Sequence, residues 1–434
     1  MSANTATDKA RASDLGPVKK FFKDTELDTR MLGMVGAMLL IWLVFNILSG
    51  GLFLTPRNLW NLSVQTASVA VMATGMVLII VTRHIDLSVG SILGFVGMIM
   101  AVLQVEILPK MIGLENPATW VIALSVGILL GAAIGAFHGY IIAYLGVPAF
   151  IVTLGGLLVW RGAAWWVTSG RTVAPMDEHF RLMGGGPFGS IGATASWVVG
   201  ILICIGIVVA IVNTRRQRLR FNFPLRPMWA EIFLAMSGCA ITLGIIAVFN
   251  AYPWPAKIAA DYAQAHNIPV PEGGLFIAHG IAIPVIMAMV VALVMTFISN
   301  RTRFGRYVYA IGGNPEAAEL AGINTRWITV KIFILMGVLC AIAAAISTAR
   351  LNAATNALGT LDELLVIAAA VIGGTSLAGG SGTIIGAILG ALLMQSLQSG
   401  MILLGVDTPL QNIVVGIVLV IAVWVDTIYR KRTA

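Results

Sequence analysis

Polar and apolar positions separate into long blocks along this chain. Eleven runs carry almost no charge: 31–54, 64–82, 87–108, 118–144, 146–168, 190–212, 228–250, 277–299, 328–349, 383–404 and 409–428. Each has about the length a helix needs to cross a hydrocarbon core of ~30 Å. A twelfth run, 361–378, is shorter and begins with Asp362 and Glu363, so it is either a crossing or a re-entrant element. Only backbones that satisfy their own hydrogen bonds span lipid. The pattern therefore predicts an all-α, polytopic membrane protein of about twelve spans.

Composition agrees with that picture. Of 434 residues, 58% are hydrophobic and 11% charged, against roughly 25% charged in an ordinary soluble domain. A net charge of +8 raises the question of a nucleic-acid partner, and the distribution of charge answers it. With twelve crossings and the N-terminus inside, twenty basic residues fall on the cytoplasmic side: six in 1–30, Arg83, five in 213–227, five in 300–331, and Arg430, Lys431 and Arg432. Six fall outside (Arg57, Lys110, Arg171, Arg181, Lys257 and Arg350), and Arg161 sits within a span. This is the positive-inside bias. Charge here reports topology, and no nucleic acid is expected.

The expected organisation is a cytoplasmic tail over 1–30, one transmembrane domain over 31–428 and a basic cytoplasmic tail over 429–434. The first tail runs straight into a long apolar segment, so no cleaved signal peptide is expected. Short loops leave no room for a separate soluble domain, and the proline-rich stretch 252–274 predicts an irregular external hairpin. Glycines cluster in "HIDLSVGSILGFVG" (84–97) and "VIGGTSLAGGSGTIIGAILGALL" (371–393), where Gly90, Ile92 and Gly94 align with Gly382, Ile384 and Gly386. That match is either a worn internal repeat or two independent helix starts with small packing faces.

Chemistry is conspicuous by what is missing. None of the eight lysines is followed by Ser or Thr, so there is no phosphate-cradling loop of the Walker type. Asp86, Asp362, Glu363 and Asp426 fall at span ends, whereas ion-driven carriers place carboxylates deep within spans. The five histidines are scattered and Cys204, Cys239 and Cys340 fall inside spans without paired spacing, so neither metal nor cofactor is expected. In "TRHIDLS" (82–88) the expectation is an interfacial turn, with Asp86 capping the next helix and Arg83 facing headgroups. An imported source of energy, or a passive channel, remains.

One passage stands apart. "FGRYVYAIGGNPEAAELAGINTRW" (304–327) reads like a fragment of a water-soluble protein. Asn314 is a good N-cap, Pro315 suits the first helical position, Glu316 and Glu319 favour the positive helix end, and Gly322 supplies a left-handed stop. Asn324 or Thr325 then caps the next span. Ala317, Ala318, Leu320 and Ala321 give a low, weakly apolar surface. Such a helix is too short to stand alone, so it is either a well-capped loop or an element gripped by a partner.

"TRFGRYVYAIGGNPEAAELAGINTRW" (302–327) resembles the cytoplasmic coupling segment of bacterial monosaccharide permeases, the ribose/xylose-type membrane subunits of ABC importers. The resemblance extends in order to "IDLSVGSILG" (85–94), "VPAFIVTLGGLLVWRG" (147–162) and "VIGGTSLAGGSGTIIGAILGALL" (371–393). An additional pair of spans around 213–227, and "AVWVDTIYRKR" at the end, resemble the D-xylose branch. The resemblance implies an importer fold of about ten helices plus that pair, in the bacterial inner membrane with both termini cytoplasmic. It implies two permease copies, a cytoplasmic ABC ATPase on each coupling segment, a periplasmic sugar-binding protein, and no ATPase site in this chain. The coupling role falls on Gly312, Gly313, Asn314, Pro315, Glu316, Ala317, Ala318 and Gly322. Candidates for the substrate pathway are Gln65, Thr66, Thr153, Trp160, Asn352, Gln395 and Gln398, each with helix–helix bonding or interface anchoring as its alternative role. Related permeases carry other sugars, branched-chain amino acids or nucleosides, and a gradient-driven carrier is the alternative outside the family.

Overall fold

The computed structural model describes residues 17–114, 116–271 and 274–433. The tail over 1–16 lies outside the described residues. Helices follow one another along almost the whole chain, and only isolated β-bridges occur among the described residues. In chain order they are α1 (Pro17–Thr25), α2 (Thr29–Leu48), α3 (Pro56–Val81), α4 (Val89–Ile112), α5 (Thr119–Tyr144), α6 (Ala149–Thr168), α7 (Glu178–Arg181), α8 (Gly192–Arg220), α9 (Met228–Asn250), α10 (Ala256–Ala265), α11 (Ile283–Arg301), α12 (Arg303–Gly313), α13 (Pro315–Leu320), α14 (Thr325–Leu351), α15 (Asp362–Ile372), α16 (Ile384–Leu403) and α17 (Thr408–Thr433).

Ten of these are long and apolar enough to cross a membrane: α2, α3, α4, α5, α6, α8, α9, α11, α14 and α16. α17 has a shorter apolar stretch, Thr408–Ile421, and continues as helix through the basic tail to Thr433. The run over 361–378 is neither a helical span nor a loop. After α14 the chain proceeds without helix over 352–361 and then forms α15, whose eleven residues cover only ~16 Å, about half a bilayer core. The proline-rich stretch 252–274 also departs from expectation. Its base is paired, with Trp254 N donating to Ile277 O at 2.7 Å and His279 N to Tyr252 O at 3.1 Å, but α10 forms inside it.

α3 is the central strut. Thr55 caps it, Pro56 occupies its first position, and every residue from Thr66 to Val81 is buried. α14 packs against it and against α5. The second contact depends on glycines at every fourth position of α5: Gly127, Gly131, Gly135 and Gly139. A Cβ at Gly131 would overlap the carbonyl of Gly337, and one at Gly135 the carbonyl of Phe333. Small residues let two membrane helices touch backbone to backbone, where dispersion is the main attraction. α8 and α9 pair with each other at the periphery, joined to the body through Ile246 and Phe249 against Trp60 and Val64.

The segments expected on the cytoplasmic side are gathered on one face. Glu26, after α1, pairs with Arg218 and Arg226 at 2.6 and 2.8 Å. Arg83 bonds to α12, and the Gly374 turn lies beside Arg30. Of the basic run 213–227, the first eight residues continue α8 as helix.

The aligned glycines 90–94 and 382–386 fall at the starts of α4 and α16. Two long helices each end in a non-helical break that leads to a further helix: α3, 82–88 and α4, and α14, 352–361 and α15.

Candidate functional site

The coupling segment is built by its caps. Asn314 Oδ1 accepts from Ala317 N at 3.0 Å, Asn324 Oδ1 from Trp327 N at 2.9 Å, and Gly322 takes φ +81° as Ile323 N bonds back to Ala318 O. Thr325 Oγ1 donates to Glu319 Oε1 at 2.6 Å, tying the end of α13 to the start of α14. Gly313, Asn314, Glu316, Ala317, Glu319, Ala321 and Gly322 are exposed, Pro315 is half-buried, and Leu320 is 91% exposed. Two residues turn inward. Ala318 is buried in the main core, and Gly312 lies so close to Val81 O and Gly380 N that no Cβ fits. The outer surface of α13 is therefore Ala317, Leu320 and Ala321 bordered by glutamates, without Ala318.

This segment is fastened to two others. Arg83 Nε donates to Gly312 O at 2.9 Å and Arg83 Nη2 to Gly313 O at 2.7 Å. Gly380 N donates to Val81 O at 2.9 Å, and Tyr309 OH to Gly382 O at 2.8 Å. Burial of the Tyr309 hydroxyl pushes its pKa up. The end of α3, the end of α12 and the glycine turn before α16 thus form one joint. Arg83 faces helix carbonyls here, in place of the headgroups expected from the sequence.

Deeper in the body, the two breaks meet. Gly90, at the start of α4, and Gly359, just before α15, approach so closely that a Cβ on either would strike the other's carbonyl. Polar groups from α5 and α6 hold the breaks. Thr153 Oγ1 shares its one proton between Ala149 O at 2.9 Å and Ile85 O at 3.2 Å, and Arg161 Nη1 donates to Asn356 O and Leu358 O at 3.1 and 2.7 Å. Asp86 accepts from Ser88 N and Oγ at 2.9 and 2.6 Å. It braces the turn before α4 and makes no bond to the helix proper. Trp160 Nε1 donates to His138 Nε2 at 3.0 Å, which puts the ring proton on Nδ1, 3.4 Å from Ser88 Oγ. Asp86, Asp362 and Glu363, expected at span ends, are thereby folded into the interior, because the chain reverses partway through the body. Asp86 is 1% exposed and Glu363 6%.

Two cavities open beside this meeting point. The deeper, about 410 Å³, is lined by Gln65, Ser68, Ser347, Arg350, Asp362, Gln395 and Gln398, with backbone from 357–360. The other, about 450 Å³, adds Trp60, Asn61, Asn352 and the loop 184–189. Gln65 and Arg350 line both. Each falls within the ~300–1,000 Å³ usual for small-molecule sites. Of the sequence candidates, Gln65, Asn352, Gln395 and Gln398 lie on these cavities. Asn352 also accepts from Met176 N at 2.9 Å. Thr66, Thr153 and Trp160 line neither: Thr66 Oγ1 bonds back to Leu62 O at 2.7 Å, and the other two brace the 82–88 break. Arg350 and Asp362 line the cavity without being among the sequence candidates. Their signal was a charge at the very end of an apolar block, read as interfacial.

The donor set is distinctive. Three carboxamides donate and accept, the guanidinium donates, the carboxylate accepts, and the serines do both. With Val69, Leu351, Leu358 and Ile402 on the same cavity, this lining offers hydrogen bonds and apolar contact to a small polar solute.

Comparison with known proteins agrees with this architecture. The family model described as branched-chain amino acid transport system / permease component matches residues 58–423. The xylose transport system permease protein of Haemophilus influenzae is 36% identical over 411 residues, covering 95% of this chain and 100% of that protein. Its Escherichia coli K12 counterpart is 35% identical over 407 residues, 94% of each. The ribose import permease protein of E. coli K12 is 33% identical over 395 residues, 90% of this chain and 91% of that protein. No solved structure matches. With the family model spanning most of the chain and relatives covered nearly end to end, the protein belongs to the family of branched-chain amino acid transport system permease components.

Proposed function

We propose that the chain is the membrane-spanning permease subunit of an ATP-driven importer in the bacterial inner membrane. Two copies enclose the pathway, an ABC ATPase docks on α13 of each, and a periplasmic binding protein delivers a monosaccharide, D-xylose. The observation that carries this reading is the polar lining of the deeper cavity. Arg350 is exposed in the single chain and Gln65, Asp362 and Gln398 are half-exposed, on or beside helices long and apolar enough to cross a membrane, and a charge facing hydrocarbon costs ~2.5–3.5 kcal/mol or more. A second copy closing over that face removes the cost and leaves a water-lined passage. The exposed, capped α13 gives an ATPase a surface on the face that carries the basic segments, which is the cytoplasmic side by the positive-inside bias.

The relatives named for xylose support the choice of sugar, and the ribose relative defines the competitor to test. The buried Asp86 and Glu363, with Asp362 beside the cavity, favour one rival, a gradient-driven carrier. The test is uptake of labelled xylose by proteoliposomes holding the permease, the ATPase and the binding protein. Uptake is expected only with all three and ATP, with xylose outcompeting ribose and leucine. Uptake by the permease alone, driven by a proton or sodium gradient, would overturn the reading in favour of a carrier. Equilibration without any gradient would overturn it in favour of a channel.

A further inference from the structure

α3 ends in a left-handed stop of the kind that usually employs glycine. Arg83 N bonds to Ile80 O at 2.9 Å and His84 N to Ile79 O at 3.0 Å, with Arg83 at φ +64°. That backbone conformation is costly for any residue with a Cβ. A side chain kept in such a position is most simply explained by what the side chain does. Here it spans the joint. Its planar fork donates to Gly312 O and Gly313 O, the carbonyls at the end of α12 that lack partners within the helix. Its charge also sits at the negative pole of that helix. Among the described residues no carboxylate pairs with it, and its guanidinium bonds to the carbonyls of α12.

Position along the chain gives this bond its meaning. On one side, Gly313 is followed by Asn314, the cap of α13. On the other, seven residues lead from Arg83 to Gly90, which abuts Gly359 beside the deeper cavity. That short path is not slack. Thr153 holds it at Ile85, and Asp86 with Ser88 holds it before α4. Any displacement of α12 and α13 that keeps the Arg83 bonds must pull on 84–90, and through it on the floor of the cavity. Without those bonds, α12 keeps its packing on Val81 O and Gly380 N but loses the side chain that ties it to the chain entering 84–90.

We propose that Arg83 is the positioning residue that couples movement of the ATPase-binding helix to opening of the substrate passage. The inference rests on the reading of the protein as an ATP-driven permease. It assigns Arg83 no part in docking, since the exposed surface of α13 lies beyond it, and none in touching the solute.

The left-handed backbone supplies an unusually clean test. Arg83→Gly removes the guanidinium and at the same time relieves the backbone strain, so the variant should fold at least as well as the parent. Wild type, Arg83→Gly and Arg83→Lys are reconstituted with the ATPase and binding protein. ATPase co-purification, melting temperature, and sugar transported per ATP hydrolysed are measured for each. Arg83→Gly is expected to melt no lower than wild type and to retain the ATPase, with sugar per ATP reduced at least tenfold. Arg83→Lys keeps one donor and the charge, and should fall between. Wild-type stoichiometry in Arg83→Gly would overturn the proposal. So would a lowered melting temperature with loss of the ATPase, because Arg83 would then be a plain structural residue. If the wild-type assembly itself neither hydrolyses ATP nor transports sugar, the failure belongs to the importer reading.

Discussion

Leu320 is the sharpest probe of α13 as a docking element. Its side chain is 91% exposed, on a helix that projects from the face carrying the basic segments. Truncation to Ala removes three carbons from a side chain that touches almost nothing in the free permease, so folding and membrane insertion should be unaffected. If the ATPase buries this side chain, the loss is ~0.8 kcal/mol per carbon, or about 2 kcal/mol. At ~1.4 kcal/mol per tenfold, docking should weaken about 30-fold. The assay is the Kd of purified ATPase for permease in nanodiscs, with melting temperature measured alongside. Ala318→Arg would be a poor substitute, because Ala318 is buried within the chain and an arginine there would disrupt α13 before any partner met it. An unchanged Kd for Leu320→Ala would refute the idea that this surface is gripped, and α13 would be only a capped loop.

Further outcomes follow from the packing and the cavities. Gly131→Ala should destabilise by about 2 kcal/mol or more, read as a lowered melting temperature, because its Cβ overlaps the Gly337 carbonyl. Gly155→Ala, where nothing lies within 4 Å of the new Cβ, should be neutral or stabilising. Gln395→Leu should cut sugar uptake about tenfold through loss of one or two hydrogen bonds while the ATPase still binds; normal uptake would remove Gln395 from the pathway. The guanidinium groups of Arg218 and Arg226 hold the Glu26 carboxyl down, to about 2 from 4.5. A depressed carboxyl stabilises above its unfolded pKa, so the bridge should be constant between about pH 5 and 8 and lost only as pH falls toward its folded value. Limited proteolysis at Lys23 should be flat over that range in wild type and faster at every pH in Glu26→Gln. Cysteine labelling from outside should reach Lys257→Cys and miss Arg218→Cys; the opposite result would invert the proposed topology.

What was legible in the sequence was local. The caps at Asn314 and Asn324 and the stop at Gly322 depend on a few neighbouring residues, and the structure has them at those positions. Apolar blocks gave the long helices because lipid imposes length and composition directly. The two breaks were not legible, since a chain that reverses midway puts its charges at the end of a block and inside the body at once. For that reason Asp86, Asp362 and Arg350 read as interfacial. Which way a polar residue faces is likewise set by neighbours far away in sequence. Gln65 and Thr66 are adjacent, yet one lines both cavities and the other bonds back to its own helix. The fourfold glycine spacing of α5 is visible in the sequence, but its partner, the backbone of α14 at Phe333 and Gly337, is set by contacts far along the chain.

The meeting of the two breaks has an electrical consequence. Asp86, Asp362 and Glu363 bring three carboxyl groups there and Arg161 and Arg350 two guanidinium groups, while the helix ends at the two breaks offset one another, positive at α4 and α15 and negative at α3 and α14. With the carboxyls ionised, the set is within one charge of neutral. Moving one net charge through a membrane potential involves ~2.3 kcal/mol per 100 mV. Opposed charges at the junction thus cap the leverage of voltage on its movement at that amount.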